Sequence, residues 1–202
     1  DILPGDEPDL KRGFNIFEER ENTDNETIIS SFNSIFDTEL RFNDQWKLSS
    51  QVGIQWDQSS QEQYVGENTF NMRNIREDSS YDENQYIVPK GGMHTVNNAT
   101  TSQITWKVQG EYKNTFNDIH DIQIMAGSEI RKNWYNTQFT AGYGYDPKTL
   151  TTKPLNIRND KDAEKYKLHT KTYQENAFAS FYTTGSYSFM SRYTIGGSVR
   201  MD

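Results

Sequence analysis

The sequence predicts an all-β fold of about six antiparallel up-and-down strands, and three observations lead there. Six segments alternate apolar and polar residues at a period of two, their connections are short and long in turn, and large aromatic residues gather beside the short ones.

Residues 28 to 42 put Ile28, Phe32, Phe36, Leu40 and Phe42 on one face and Asn33, Asp37, Glu39 and Arg41 on the other. After Asn43-Asp44-Gln45, a second strand sets Trp46, Leu48, Val52, Ile54 and Trp56 against Lys47, Gln51, Gln55 and Asp57, completing a hairpin. The third opposes Ile104, Trp106, Val108 and Tyr112 to Gln103, Lys107, Gln109 and Glu111. A connection at 114 to 120 leads to the fourth, with Ile122, Ile124, Ala126 and Ile130 against Gln123, Glu129 and Arg131. The fifth sets Ala179, Phe181, Tyr187 and Phe189 against Ser180, Tyr182, Thr184 and Ser188, turns at Met190-Ser191-Arg192, and is followed by a sixth bearing Tyr193, Ile195, Val199 and Met201.

Each segment offers about ten or more residues. A tilted strand needs roughly 9 to 11 to cross the hydrocarbon of a bilayer, whereas strands of soluble sandwiches are nearer five or six. The connections at 58 to 101 and 132 to 175 are each on the order of forty residues, far above the usual loop length. Short turns on one rim and long loops on the other are the outer-membrane β-barrel arrangement, with short periplasmic turns and two long extracellular loops. Phe42, Trp46, Tyr112, Tyr187, Phe189 and Tyr193 all flank short turns on the apolar face, which predicts a girdle against outer-membrane lipid; Trp56 and Phe32 fit a second one. A soluble antiparallel sheet with one buried face would also alternate, and Ser30, Ser34, Thr38, Ser50, Ser102 and Ser128 on the apolar face favour it. Strand length, loop asymmetry and the aromatic band favour the barrel.

Composition agrees. A mean hydropathy of -0.95 is low for a packed globular chain of 202 residues, yet twelve Tyr, eleven Phe and four Trp are too many for a disordered one. No run approaches the roughly 18 to 20 apolar residues of a membrane-spanning helix, and "DILPGDEPDLKRGF" lacks the basic and apolar regions of a signal peptide. A start at Asp1 fits a processed or excised chain. The net charge of -8 argues against a nucleic-acid surface, and the absence of Cys removes disulfides, thiolate metal sites and cysteine nucleophiles. Residues 1 to 27 are acidic and irregular and read as the end of a preceding extracellular loop, leaving 28 to 202 as partial barrel.

Chemistry-bearing patterns are sparse. His94, His120 and His169 occur singly, without metal-ligand spacing, and read as loop or turn residues. Asp160, Asp162 and Glu164 could hold calcium, but an EF-hand needs Gly where Lys165 stands, so a solvated charge cluster is the reading. Lys90-Gly91-Gly92 lacks the spacing of a phosphate loop and marks a turn with Pro89. Asp37 and Glu39 share a strand face, but nothing supplies the differing environments that acid and base roles require. No enzyme, metal or cofactor is expected. The candidate ligand-contacting residues are the aromatics of the second long connection, Trp134, Tyr135, Tyr143 and Tyr145, with Phe139 beside them, since aromatic faces stack on sugar rings.

The segments "HDIQIMAGSEIRKN" (120 to 133), "AGYGYDPKTLTTKPL" (141 to 155) and "KTYQENAFASFYTTGSYSFMSRYTIGGSVRMD" (171 to 202) closely resemble the SusC/RagA family of TonB-dependent outer-membrane transporters of Bacteroidetes. The resemblance covers nearly all of residues 28 to 202, and "SYSFMSRYTIGGSVRMD" is its most specific part. It implies a 22-stranded barrel with an N-terminal plug, energised through the TonB complex, capped by a SusD-like surface lipoprotein, and importing glycans or, in some members, oligopeptides. Neither plug nor TonB-contacting box lies among these residues, and six strands cannot close even an eight-stranded barrel. The segment is therefore expected to form wall and surface loops. Two other classes compete with it: a soluble all-β surface module for carbohydrate binding or adhesion, and a hydrolase, which would need a carboxylate pair at catalytic separation in a cleft.

Overall fold

The computed structural model describes residues 13–202, and in it the chain is predominantly antiparallel β-structure. A short helix α1 (Ile16–Glu21) leads into β1 (Thr23–Arg41) and β2 (Trp46–Val65). Helix α2 (Phe70–Glu77) and a small hairpin of β3 (Ser80–Asp82) and β4 (Gln85–Tyr86) follow. Then come β5 (Gly92–Phe116), β6 (His120–Tyr145), helix α3 (Asp160–Lys165), β7 (His169–Phe189) and β8 (Tyr193–Met201). The six long strands form one meander in the order β1-β2-β5-β6-β7-β8, with β1 and β8 at its edges. No helix among the described residues is long and apolar enough to cross a membrane, which leaves crossing by strands open.

The three tight turns have local chemical causes. Asn43 Oδ1 accepts the backbone N–H groups of Gln45 (2.9 Å) and Trp46 (2.8 Å), closing the first. Asn117 and Asp118 both take positive φ, 52° and 58°, and Ile119 N–H donates to the Phe116 carbonyl at 3.2 Å. Met190 and Ser191 repeat this at 53° and 54°, with Arg192 N–H donating to the Phe189 carbonyl at 3.0 Å. Two successive positive φ angles give a turn whose twist matches that of the flanking strands.

The strands are longer than the alternation predicted. β2 continues to Val65 and β5 starts at Gly92, so the first long connection shrinks to 66–91; β6 continues to Tyr145 and β7 starts at His169, so the second shrinks to 146–168. Stretches such as "DQSSQEQYV" and "TVNNATTS" form ladder as well as apolar segments do, because the backbone supplies the bonds. Mixed polar residues on both faces merely hide the period. The irregular reading of residues 1 to 27 is corrected likewise for its described part. Asn15 caps α1 by accepting the Phe17 N–H at 3.1 Å, and β1 begins at Thr23. Tertiary contacts order this segment: Phe70 N–H donates to Glu19 Oε1 at 2.5 Å, Gly66 N–H to the Asn22 carbonyl at 2.7 Å, and Phe14 meets Phe70 edge-on.

By packing, the chain divides into two units. One comprises the described residues up to Ile29 with Gln58–Ala99 and Asn136–Thr172; the other comprises Ser30–Asp57, Thr100–Tyr135 and Tyr173–Asp202. The first, the helix-bearing unit, has a core of Val65, Met72, Ile87, Val88 and Tyr166, against which Ile75, Tyr81, Met93, Tyr143 and Leu155 pack. Thr69, fully buried, locks α2 to this core: its hydroxyl donates to the Gly66 carbonyl (2.8 Å) and accepts the Met72 N–H (3.1 Å). Thr69→Val should cost about 1–2 kcal/mol, because a cap is lost and a buried N–H is left unpaired. Faster limited proteolysis within 66–91 would register it, and an unchanged rate would refute it.

The second unit, all strand and turn, is built the other way round. Among the described residues it buries no large hydrophobic side chain; Ser180 is its buried residue. Phe32, Phe36, Leu40, Trp46, Ile54, Trp106, Ile124, Ile130, Phe181, Ile195 and Val199 are all exposed. Contacts confirm the predicted faces. On the apolar side Trp106 Nε1 donates to Ser50 Oγ at 3.0 Å, and Trp46 packs on Tyr112 at 4.6 Å. His120 stacks on Tyr187 and meets Phe189, with its Nδ1 2.7 Å from the Tyr187 hydroxyl. β7 and β8 register so that Phe181↔Met201, Tyr187↔Ile195 and Phe189↔Tyr193 pair directly. Ile35 interrupts the opposite, polar face.

Candidate functional site

Each unit carries one candidate surface. In the strand-and-turn unit it is the polar face of the sheet, where the period of two brings charged residues of neighbouring strands together. Gln51 Nε2 donates to Asp37 Oδ1 at 2.7 Å, Lys47 pairs with Glu111 at 2.9 Å, Gln123 donates to Glu111 at 3.2 Å, and the Tyr182 hydroxyl donates to Gln109 at 3.1 Å. Arg131 lies over the Phe178 ring and Lys107 over that of Tyr182. Glu39 lies between Arg41 (2.7 Å) and Lys47 (3.8 Å). A hollow of about 320 Å³ lined by Asp37, Glu39, Gln51, Lys107 and Gln109 opens on this face. Acceptors and donors of both signs alternate here, which suits transient contact with a polar solute.

In the helix-bearing unit the candidate is a recess of about 480 Å³ lined by Tyr64, Tyr145, Lys90, Lys148 and Lys153, with Glu67 and Asp146. Two glycines shape it. Gly91 (φ 138°) and Gly144 (φ 62°) approach so closely that a Cβ on Gly91 would lie 2.6 Å from the Gly144 carbonyl carbon. The aromatic wall is a cluster in which Tyr145 stacks on His94 (4.8 Å, 22°) and meets Tyr64 edge-on at 5.6 Å, while His94 Nε2 lies 2.7 Å from Glu62 Oε1. Burial holds the Tyr64 hydroxyl above the usual phenol range, with Glu67 and Tyr145 adding to it. Asp146 is held below the ordinary carboxylate range, chiefly because its side chain accepts the backbone N–H of Lys148. Lys153 Nζ donates to the Lys90 carbonyl at 2.9 Å.

The four predicted aromatics divide between these units. Their placement in a loop is corrected: all four stand on β6, with Phe139. Tyr145 lines the recess. Tyr143 packs edge-on against buried Tyr166 (6.1 Å, 88°) as part of the core, and burial raises its phenol. Trp134 lies beneath Lys132 at 5.1 Å, Lys132 is paired with Glu175 at 2.5 Å, and Tyr135 is exposed. The residues that join Tyr145 were not singled out as ligand contacts. Tyr64 and His94 come from strands of distant sequence, and the signal available was only the turn reading of Lys90-Gly91-Gly92.

The other candidates also move. The three histidines lie on strands, His94 on β5, His120 opening β6 and His169 opening β7, which corrects their loop placement. Asp160, Asp162 and Glu164 fall on α3, where Asn159 caps the Asp162 N–H at 3.0 Å and Arg158 holds the Asp162 carboxylate at 3.1 Å. Among the described residues no group of acidic, His or Cys side chains has the arrangement to hold a metal ion.

No protein-family profile and no curated protein sequence matches the chain. Solved structures do share its fold. They include the RagAB peptide transporter (TM-score 0.68, 15% identity) and the RagAB peptide importer in its "closed-closed" (0.67, 15%) and "open-open" (0.68, 16%) states. Each alignment covers 89% of this chain and 18% of the other, so the chain spans about a fifth of the length of the proteins it matches.

Proposed function

We propose that this chain is a stretch of wall and surface loops in a TonB-dependent outer-membrane β-barrel importer of SusC/RagA type. The importer works with a SusD-like surface lipoprotein and takes up polar oligomers, glycans or oligopeptides. The strand-and-turn unit meets lipid with its apolar face and the solute path with its polar face, and the chain carries out no catalysis. One observation carries the reading: among the described residues that unit exposes most of its large apolar side chains and buries none, the inverse of a water-soluble sheet. In water each such side chain would forgo roughly 1.5–3 kcal/mol of burial, and a bilayer removes the penalty. The fold shared with peptide transporters supports the same reading.

Single cysteines test it, since the chain has none of its own. In intact outer membranes, Leu40→Cys and Ile124→Cys should react with a lipid-soluble maleimide and resist a charged one. Asp37→Cys and Gln109→Cys should react with both. Free labelling of the first pair by the charged reagent would sink the lipid-facing assignment.

A further inference from the structure

We infer that Lys132, Trp134, Tyr173 and Glu175 form a lipid-headgroup contact that fixes where the hydrocarbon ends on the side away from the short turns, an assignment that rests on the importer reading and names the membrane layer this cluster meets. Parity places Lys132 and Trp134 on the apolar face of β6 with Ile122, Ile124 and Ile130, and Tyr173 and Glu175 on that of β7 with Phe181 and Tyr187. Contacts agree. Lys132 Nζ pairs with Glu175 Oε1 at 2.5 Å, the Tyr173 hydroxyl donates to Glu175 Oε2 at 2.9 Å, and the same ammonium lies 5.1 Å from the centre of the Trp134 ring. Their neighbour Arg131 takes the opposite face, over Phe178. Along the six strands of the strand-and-turn unit the apolar face holds no other Asp, Glu, Lys or Arg among the described residues. A cation on a lipid-facing position costs roughly 2–4 kcal/mol at mid-depth and about 0–1 near the interface, so one ion pair on an otherwise uncharged face belongs at the boundary. There Tyr173, Trp134 and the Lys132 stem present apolar surface to the hydrocarbon and polar tips to the headgroups.

A second cross-strand pair marks the other boundary. His120 Nδ1 lies 2.7 Å from the Tyr187 hydroxyl, beside the tight turns. His120 and Lys132 stand twelve residues apart on β6, as do Glu175 and Tyr187 on β7. At roughly 3.3 Å per residue and a tilt of about 40°, that separation spans about 30 Å of depth, the thickness of the hydrocarbon layer. The two pairs thus bracket one bilayer. Past Trp134, β6 continues to Tyr145 within the unit that has a buried core, as residues standing in water require. Trp134 accordingly serves as a lipid anchor, not as a ligand contact, since its face is the one turned away from the solute path.

The test is a nitroxide scan of the intact importer in phosphatidylcholine vesicles, with single cysteines Ser128→Cys, Ile130→Cys and Gln138→Cys read by power saturation against oxygen and a water-soluble nickel chelate. The first two should favour oxygen and the third nickel, which puts the crossover at the Lys132 to Trp134 level. A nickel-favouring Ile130→Cys, or an oxygen-favouring Gln138→Cys, would overturn the boundary. Lys132→Leu/Glu175→Leu then tests the anchor, since leucine suits a lipid face and lets the wall fold. In longer-chain lipid its crossover should move outward by about two residues, roughly 5 Å of depth, whereas the parent and Lys132→Arg/Glu175→Asp should hold theirs. An unmoved crossover in the leucine variant would overturn the anchoring role. The labelling of Leu40→Cys and Ile124→Cys tests lipid contact itself, so a misplaced crossover with that pattern intact removes the anchor and leaves the importer.

Discussion

Ile124→Arg is expected to lower the stability of the protein in lipid vesicles by about 1–3 kcal/mol, the cost of a cation on the proposed lipid face of a barrel between its aromatic band and mid-depth. Ile124 is 47% exposed and shares its face with Ile122, Tyr187 and Ile195, which line a shallow apolar hollow with it. An arginine there meets no carboxylate and must keep its charge in hydrocarbon or drag water inward. Gln123→Arg, one residue away on the polar face beside Glu111, should stay within about 0.5 kcal/mol of the parent. The difference between neighbours is the diagnostic quantity, read from urea midpoints after refolding into vesicles. In a water-soluble sheet with an uncovered apolar face the order would reverse, because Ile124→Arg would then be harmless or would improve solubility. Equal midpoints for the two variants would therefore count against lipid contact.

Gly91→Ala should be comparably damaging for a different reason. At φ 138° an L-residue is strained, and the added Cβ would lie 2.6 Å from the Gly144 carbonyl carbon and 2.7 Å from its Cα. Both obstacles are backbone, so no rotamer change relieves them, and strain plus overpacking together predict a loss of about 2–5 kcal/mol. Gly92→Ala meets the Val65 carbonyl oxygen at 2.7 Å and should resemble it, whereas Gly197→Ala meets nothing within 4 Å and should be neutral or slightly stabilising. Protease digestion separates these outcomes: the first two variants should expose residues 66–91 and 146–168 to cleavage, and the third should not. Survival of Gly91→Ala with parental resistance would mean that the close crossing of Gly91 and Gly144 is not part of the folded state.

The sequence alone determined the six long strands, their meander, two opposed faces and the positions of the tight turns, but not the short β3–β4 hairpin. These follow from local rules: a period of two assigns each residue to a face wherever large apolar residues recur on one side, as Phe32, Phe36 and Leu40 do, or Ile122, Ile124 and Ile130. Tertiary structure decided the rest. The outer stretches of β2, β5 and β6 bear mixed polar residues on both faces, so nothing in their pattern separates strand from loop, and only pairing with a neighbour makes them strand. Which of Tyr143 and Tyr145 packs on the core and which lines the recess was illegible for a related reason. The two stand on one strand two residues apart, yet Tyr143 is taken up by the core around Tyr166 while Tyr145 meets Tyr64 and His94 from strands far away in sequence. Lysines 90, 148 and 153 likewise become one recess only because Gly91 and Gly144 let two backbones touch. Faces are set by neighbours along the chain, whereas a site is set by residues that the chain keeps apart until it folds.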